Sequence, residues 1–559
     1  MLRVGRWITL PAMRCSGVFL ALVLGCSQSM VGDADGGVDG GPPVCGAADP
    51  CEEGPPLAVP LRLRPADVLA NQIGDSIARI VRWEEAEAGG SVGPFAQPFP
   101  TAPLVSARLD ALSAIATDEA ERIVSECADS VCIDDRVAAL VAATFARPLP
   151  LDELGSLTES LGGRTATEVE AAILQAFLSP DAWLVREVGS PLSAGDRARR
   201  AAAAFWRSGP DAALLRAFAS GESSDRIVTR LSSDARASRG FERFHDRLLG
   251  PSLGEGELAE RMAEETDAYL ESVVSSPEAS YSDWIAAPYT FVDDALAAHY
   301  ELPDRPGDTL TRVSLDPGRA TLLAHGSLTS GRTIPLRGAF VAGRIRCQDL
   351  PAPPPDIEPT PPAGDGVTER ENYEAQLAPA CVGCHELFDP FGFALEAFDR
   401  DGSFRTMEAG LAIDDGYTER CIGRAFLPAG SGAGSLGQWL AGDAAAHTCF
   451  ARQWTRYLTR AEPSGCEVAG LAFAPASGQL RDLYAALVTA DATRPVEAPR
   501  EPLGSFTFAP FAGDVRLGAI DAAIGRLDEW RSATTRDEDL AFLDQLGAQW
   551  RELRMRLAG

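Results

Sequence analysis

Cys381-Val382-Gly383-Cys384-His385 constrains this chain more than any other stretch. Two thiols three positions apart and an imidazole one residue further on share one face of a helical turn. That arrangement clamps two vinyl groups of a haem and ligates its iron from one side. With 12 cysteines and 5 histidines in 559 residues, chance rarely assembles it. The alternatives are a half zinc site, or a local disulfide beside an unrelated histidine. Zinc would need a second ligand pair, and no other C-x-x-C or H-x3-H is present. The spacing therefore predicts one haem c, attached at Cys381 and Cys384, with His385 as the proximal iron ligand.

Haem attachment of this kind belongs outside the cytoplasm, and the opening of the chain points there too. Arg3, Arg6 and Arg14 flank the start of an apolar run from Val18 to Leu24, followed by Val23-Leu24-Gly25-Cys26. A short apolar run ending in small residues before a cysteine reads as a lipoprotein signal, too short to span a bilayer as a helix. Residues 1–25 are the expected signal peptide and Cys26 the expected lipid attachment site. Ser27 follows, rather than an inner-membrane-retaining aspartate, so the expected location is the cell envelope, at the outer membrane.

The formal net charge is −30 and the pI about 4.6, which argues against nucleic acid as a partner. No lysine occurs, so all 50 basic residues are arginine, and Schiff-base chemistry and a Walker P-loop are excluded. Setting aside Cys15, Cys26, Cys381 and Cys384 leaves Cys45, Cys51, Cys127, Cys132, Cys347, Cys421, Cys449 and Cys466. An even set in an exported chain predicts disulfides, with Cys45–Cys51 and Cys127–Cys132 suggested by proximity and the other pairings undetermined.

Residues 26–56 are rich in Gly, Asp and Pro and read as a tether. Beyond them the apolar periodicity is helical. Ile133, Val137, Leu140, Val141, Thr144 and Phe145 form one stripe that Pro148 brings to an end. Thr165-Ala-Thr-Glu168 is a capping box. Pro210 stands at a first helical position, and helical patterns cover Arg236–Leu249, Glu257–Val274, Ser282–Ile285 and Val292–Tyr300. Val515–Trp530 and Glu538–Leu557 predict two terminal helices. His245 reads as a buried, hydrogen-bonded histidine, whereas His299 and His325 are candidates to reach a haem from another module. Trp183, Trp206 and Trp284 are either core or a ligand platform. The proline run from Pro351 to Pro362 favours polyproline II and marks a boundary.

After the haem pentapeptide comes Asp389-Pro390-Phe391-Gly392-Phe393-Ala394-Leu395-Glu396-Ala397-Phe398-Asp399. Phe391, Phe393, Leu395 and Phe398 offer apolar cover for a haem face. Asp389 is placed to accept a hydrogen bond from the His385 ring, although Asp389-Pro390 equally reads as a turn. Met407 is the nearest downstream candidate for a distal iron ligand, and His447 is the alternative; a five-coordinate iron is the third possibility.

The stretch Cys381–Arg405 closely resembles the cytochrome-like module of the planctomycete-type cytochrome c multidomain proteins, also abundant in myxobacteria. Phe145-Ala-Arg-Pro-Leu149, Phe205-Trp-Arg-Ser-Gly-Pro-Asp211, Tyr289–Tyr300 and Thr333-Ile-Pro-Leu-Arg-Gly338 are similar to marks of their helical companion modules. The resemblance implies a mainly α, multi-module helical protein with a small c-type cytochrome-like domain, in a family without a settled biochemical function. The expected modules are 57–125 (N-terminal helical), 126–178 (helical), 179–350 (large central helical), 351–366 (proline-rich linker), 367–430 (haem module), 431–500 (C-terminal) and 501–559 (terminal helices outside the resemblance). The function expected is electron transfer or redox sensing by an envelope-anchored monohaem lipoprotein with an unidentified redox partner. The alternative is a polysaccharide-active or polymer-binding surface protein with the haem as redox accessory or structural element. Whether the chain is an enzyme is left open, since no motif nominates a catalytic pair among its acidic residues.

Overall fold

The computed structural model describes residues 106–558 except 186–191, 251–255, 304–305, 353–357, 360–365, 423–424, 460–462, 464–467, 469–470, 472–477, 491–502 and 535–536; before residue 106 it describes only isolated two-residue strands. The signal segment 1–25, the tether 26–56, Cys26, Cys45, Cys51 and Cys466 lie outside the described residues, as do most of the N-terminal module and of the proline run. The fold is mainly α, as the periodicity predicts. Among the described residues no helix is long and apolar enough to cross a membrane.

The chain divides into two compact units. One comprises Gly54–Gly240, Thr455–Pro463 and Ala485–Gly559. Its helices Ser106–Glu126, Ser130–Phe145 and Ala166–Leu178 share a core with the terminal helices Val515–Ser532 and Asp537–Ala558. The stripe foreseen from sequence supplies buried Ile133, Val137, Val141 and Phe145, which meet Ile173, Phe177, Ile520, Leu527 and Trp530. Burying such side chains contributes about 1.5–3 kcal/mol each. Asp129 caps Ser130–Phe145 by accepting the Cys132 N–H, and the Cys127–Cys132 disulfide closes the same turn. The Thr165–Glu168 capping box is formed in both directions. Residues 503–512 are tied down by backbone bonds to side chains: Phe506 N–H to Glu153, and Ala509 to both ends of the Gln175 amide. Arg526 forks onto Asp181 at 2.7 and 2.9 Å and clamps a terminal helix to the Ser179 turn. Pro210 lies outside its helix; Asp211 is the N-cap of Ala212–Ala219, bonded to the Leu214 N–H.

The second unit is built mainly from Phe241–Trp454 and Ser464–Tyr484. Its chain runs through α1 (Glu257–Val274), β1 (Tyr289–Val292), β2 (Thr311–Ser314), α2 (Ile334–Phe340), α3 (Glu369–Gln376), α4 (Pro379–His385), α5 (Asp389–Phe393), α6 (Gly432–Gly442) and α7 (Ala444–Thr459). Strands β1 and β2 pair antiparallel, Tyr289 opposite Ser314 and Val292 opposite Thr311. Val292 therefore closes a strand, and the helix expected from it starts only at Asp294, capped by Asp293. Trp284 and His245 are core residues joined by a hydrogen bond from the indole N–H to Nε2 at 3.0 Å, while Nδ1 donates to the Phe241 carbonyl. Burial pushes the His245 pKa down to about 4. Trp183 and Trp206 are buried in the other unit, so all three tryptophans belong to cores.

Helices α2 and α5 approach to backbone contact. A Cβ on Gly338 would lie 2.2 Å from the Phe388 carbonyl oxygen, and one on Gly392 would lie 2.2 Å from that of Ile334. Between them Arg337, fully buried, donates to the carbonyls of Thr329, Leu395, Phe398 and Asp399 at 2.6–3.3 Å. One compact unit thus contains the helices on both sides of the proline run, where the sequence places a boundary. Further on, Arg346 donates to Asp443 at 2.7 Å, both buried, and the Cys347–Cys449 disulfide lies beside this pair. Asp443 also accepts the first N–H groups of α7.

The α2–α5 contact gives the first prediction. Gly392→Ala should destabilise the protein by about 1–3 kcal/mol, the range for forcing atoms into a packed interior. Chemical denaturation of the two forms measures it; an unchanged midpoint would show that the helices can part without penalty.

Candidate functional site

The Cys381–His385 pentapeptide lies on α4, a seven-residue helix that Pro379 opens and whose last residue is His385. Proline at the first position forfeits no hydrogen bond and presets the backbone angle. Helix α3 precedes it, started by a second capping box in which Thr368 bonds the Glu371 N–H and the Glu371 carboxylate accepts the Thr368 N–H. Its sequence is polar except for Ala375 and Tyr373, and Tyr373 turns inward, buried. Helix α5 follows within four residues, so three short helices surround one imidazole.

His385 is buried, with Nδ1 2.5 Å from the Tyr373 hydroxyl and 3.2 Å from Asp389 Oδ1; the same hydroxyl donates to Asp389 Oδ2 at 2.7 Å. A phenol has one proton. Because Tyr373 gives its proton to Asp389, the hydrogen in the Tyr373–His385 contact must come from Nδ1. The triangle therefore fixes the tautomer with Nδ1 protonated and the lone pair on Nε2, for which the described residues provide no hydrogen-bond partner. Burial and the Asp389 charge push the Tyr373 pKa upward, which keeps it a neutral donor. Phe388 packs against the ring at 4.8 Å between centroids. A histidine oriented by a carboxylate with its second nitrogen available is the arrangement in which imidazole binds a metal.

The thiols complete the donor set. Cys384 is half-buried and keeps its thiol, while Cys381 and Cys421 are disulfide-bonded. A Cβ on Gly383 would meet nothing within 4 Å, so the face of α4 turned away from Cys381, Cys384 and His385 is open. Among the described residues no three His, Cys, Asp or Glu side chains converge into a metal cage. Two cysteines and an imidazole with Nε2 available on one helix are the donor set that an attached haem uses, with Cys381 buried and held in a disulfide. Attachment at Cys381 requires its disulfide to be reduced first, because a thioether forms from the thiol.

The other sequence candidates lie elsewhere. Met407 is 54% exposed on a two-residue strand paired with Leu411–Ala412. His447 lies on α7, its Nε2 2.7 Å from the Ala441 carbonyl and its ring 4.4 Å from Tyr281. Neither is among the partners of His385. His299 Nε2 meets the Asp401 carbonyl at 3.1 Å, and His325 is buried among hydroxyls of the central module. The expected apolar cover is mostly core: Phe391, Leu395 and Phe398 are at most 2% exposed, and Phe391 stacks on Trp439. Only Phe393 is half-buried, between Tyr373 and the Arg370 guanidinium. Glu396, 1% exposed, has its pKa pushed up to about 8 by burial against the pull of Arg337 and Arg405.

Tyr373 is the residue that sequence reasoning missed. Its signal was available: a lone aromatic in a polar eight-residue helix has to face the interior.

Residues 318–408 match the family model PSCyt3, a protein of unknown function (DUF1588). Residues 192–302 match PSD4, also a protein of unknown function (DUF1592). Both are cytochrome-c-like, planctomycete-type domain families. The first match begins before α2 and ends after α5, so it contains both halves of the Arg337 contact. No curated protein and no solved structure matches the chain.

The triangle gives the second prediction. Tyr373→Phe removes the donor to a buried carboxylate and should cost about 1–3 kcal/mol of stability. Thermal unfolding against wild type measures it; an equal transition temperature would mean that Asp389 and His385 satisfy each other without the phenol.

Proposed function

We propose that residues 367–430 carry one haem c, attached at Cys381 and Cys384 with His385 Nε2 as proximal ligand, in an envelope-anchored lipoprotein that transfers electrons or senses redox state. The observation that supports this is the Tyr373–Asp389 clamp, which engages Nδ1 and leaves Nε2 available on the one histidine next to two cysteines. The cytochrome-c-like character of the matching family models supports the same reading. When bound, the haem supplies a reversible one-electron couple. The chain's own contribution is to hold the imidazole, keep the Nδ1 proton on the carboxylate side and raise the basicity of Nε2 through that bond.

For the sixth position Met407 is preferred over His447, whose Nε2 is already engaged with the Ala441 carbonyl. Lipid attachment at Cys26 would place the protein at the outer membrane, with a redox partner that is not nucleic acid.

Expression in a periplasm with a cytochrome c maturation system should give a protein that still stains for haem after denaturation. Cys381→Ala with Cys384→Ala should lose the stain. A colourless wild-type band with Cys381 still in its disulfide would overturn the assignment. In the haem-loaded protein, Met407→Ala should remove the weak long-wavelength absorption of a methionine–iron bond; a wild-type spectrum without it excludes Met407.

A further inference from the structure

A chain of buried polar groups that shares no residue with the His385 clamp runs beside β1. Glu265 on α1 is 1% exposed; its Oε1 lies 2.5 Å from the Thr290 hydroxyl, and its Oε2 accepts from the Tyr300 hydroxyl at 2.6 Å. Thr290 Oγ1 lies 3.4 Å from His325 Nε2, and His325 Nδ1 lies 3.1 Å from Thr266 Oγ1. Thr266 Oγ1 also lies 3.2 Å from the Met262 carbonyl oxygen and 2.7 Å from Ser327 Oγ. The Gly326 N–H donates to the Tyr300 oxygen at 3.0 Å.

These contacts admit a proton count, because each hydroxyl supplies one hydrogen and each bond needs one. Burial pushes the His325 pKa down to about 3, so the ring carries a single proton. With Glu265 ionised, Thr290 and Tyr300 must donate to its two oxygens. Six hydrogens then serve seven contacts; the distribution that keeps both nitrogens of the buried His325 ring bonded has Thr290 accept from Nε2–H and Nδ1 take the Thr266 proton, so that none remains for the Met262 carbonyl. With Glu265 protonated the direction reverses. Its O–H donates to Thr290, Thr290 to Nε2, Nδ1–H to Thr266, and Thr266 to the Met262 carbonyl, while Ser327 donates to Thr266. The extra proton supplies the seventh hydrogen, and placed on Glu265 it leaves every group of the buried chain uncharged, whereas placed on His325 it would leave two buried charges.

We propose that Glu265 is a proton-binding site whose occupancy sets the direction of this relay and selects the His325 tautomer. The Asp401–Gly402 turn packs closely against the same residues. A Cβ on Gly402 would lie 2.9 Å from Gly326 Cα and 3.1 Å from Met262 Sδ. Gly326 is the residue whose N–H bonds Tyr300, and Met262 is the residue whose carbonyl Thr266 holds or releases.

No charged side chain bonds Glu265. On its own helix Arg261 is ion-paired with Asp293, and Glu264 and Asp267 are neighbours in sequence. β1 contributes Tyr289 and Thr290, the segment after β1 contributes Asp293 and Tyr300, and the Gly326 turn contributes His325. Tyr269 packs edge-on to His325 at 5.0 Å, and the Asp283 carboxylate is engaged in capping its own helix. Burial pushes the Glu265 pKa up to about 7 against the pull of Thr290 and Tyr300, while that of Tyr300 shifts upward. An unfolded glutamate titrates near ~4.3. Between that value and about 7 the folded state binds more protons, so this group's contribution to stability falls as pH rises through the window and is flat above it.

The test uses the full-length protein labelled with nitrogen-15 in its 5 histidines, with His325 assigned by loss of its signals in His325→Gln. The His325 ring should change from Nδ1–H below neutrality to Nε2–H above it. Glu265→Gln, whose amide donates to Thr290 as the protonated acid does, should hold the Nδ1–H form throughout and reduce the pH dependence of thermal unfolding. Thr290→Val, which cuts the relay, should also abolish the tautomer change. A wild-type ring whose tautomer is the same across the range overturns the proposal without any variant; a transition that persists in Glu265→Gln overturns it as well.

Discussion

The buried guanidinium of Arg337 holds the second compact unit to its candidate site. All of its hydrogen bonds run to main-chain carbonyls, from Thr329 on one side and from Leu395, Phe398 and Asp399 on the other. Those carbonyls sit where short helices end and the chain turns; those of Thr329, Leu395 and Asp399 also accept a main-chain N–H, whereas the Phe398 carbonyl depends on Arg337, a loss worth about 1–3 kcal/mol. Burial pulls the Arg337 pKa down to about 10, partly offset by Glu396, which leaves the group charged at neutral pH. The path of residues 395–399 follows from this fork, and the seating of α5 on α2 follows from the two glycines beside it. The seating of α5 in turn places the Asp389 carboxylate, and Asp389 with Tyr373 decides which nitrogen of His385 carries the proton. A substitution at residue 337 would thus be felt at an imidazole to which Arg337 makes no bond.

Much of the local structure was legible in the sequence. Glu257–Val274 has the bounds that its apolar periodicity gave, and the terminal helices agree to within a residue or two. The Thr165–Glu168 box and the Cys127–Cys132 bridge are short-range and could be read from spacing. Long-range partners could not. The Cys347–Cys449 disulfide spans 102 residues, and spacing alone does not choose among many pairings. Val292 reads as the start of a helix because its continuation is helical; only the pairing of Tyr289–Val292 with Thr311–Ser314 makes it the end of a strand. At the candidate site, α4 and Asp389 were readable because histidine and carboxylate stand four residues apart on adjacent turns. Phe391, Leu395 and Phe398 were misread as open cover because apolar character does not say which surface is buried: Phe391 stacks on Trp439 of α6 and Phe398 packs on Phe404.

The absence of lysine bears on how such an interior is assembled. A lysine ammonium is a point charge on a flexible stem, whereas the guanidinium offers a planar fork of five donors and keeps its charge when buried. Arg337 spans four carbonyls, Arg346 joins Asp443 to the Ile422 carbonyl, and Arg526 forks onto Asp181. Each connects segments far apart in the chain, and each does so where an ammonium could not reach all the acceptors at once. Burying an ion pair gains little net stability over well-packed apolar side chains, but breaking one is costly. The value of these forks therefore lies in specifying which segments meet. In a protein of short helices and many turns, that register brings three helix ends around His385 with the geometry that fixes its tautomer.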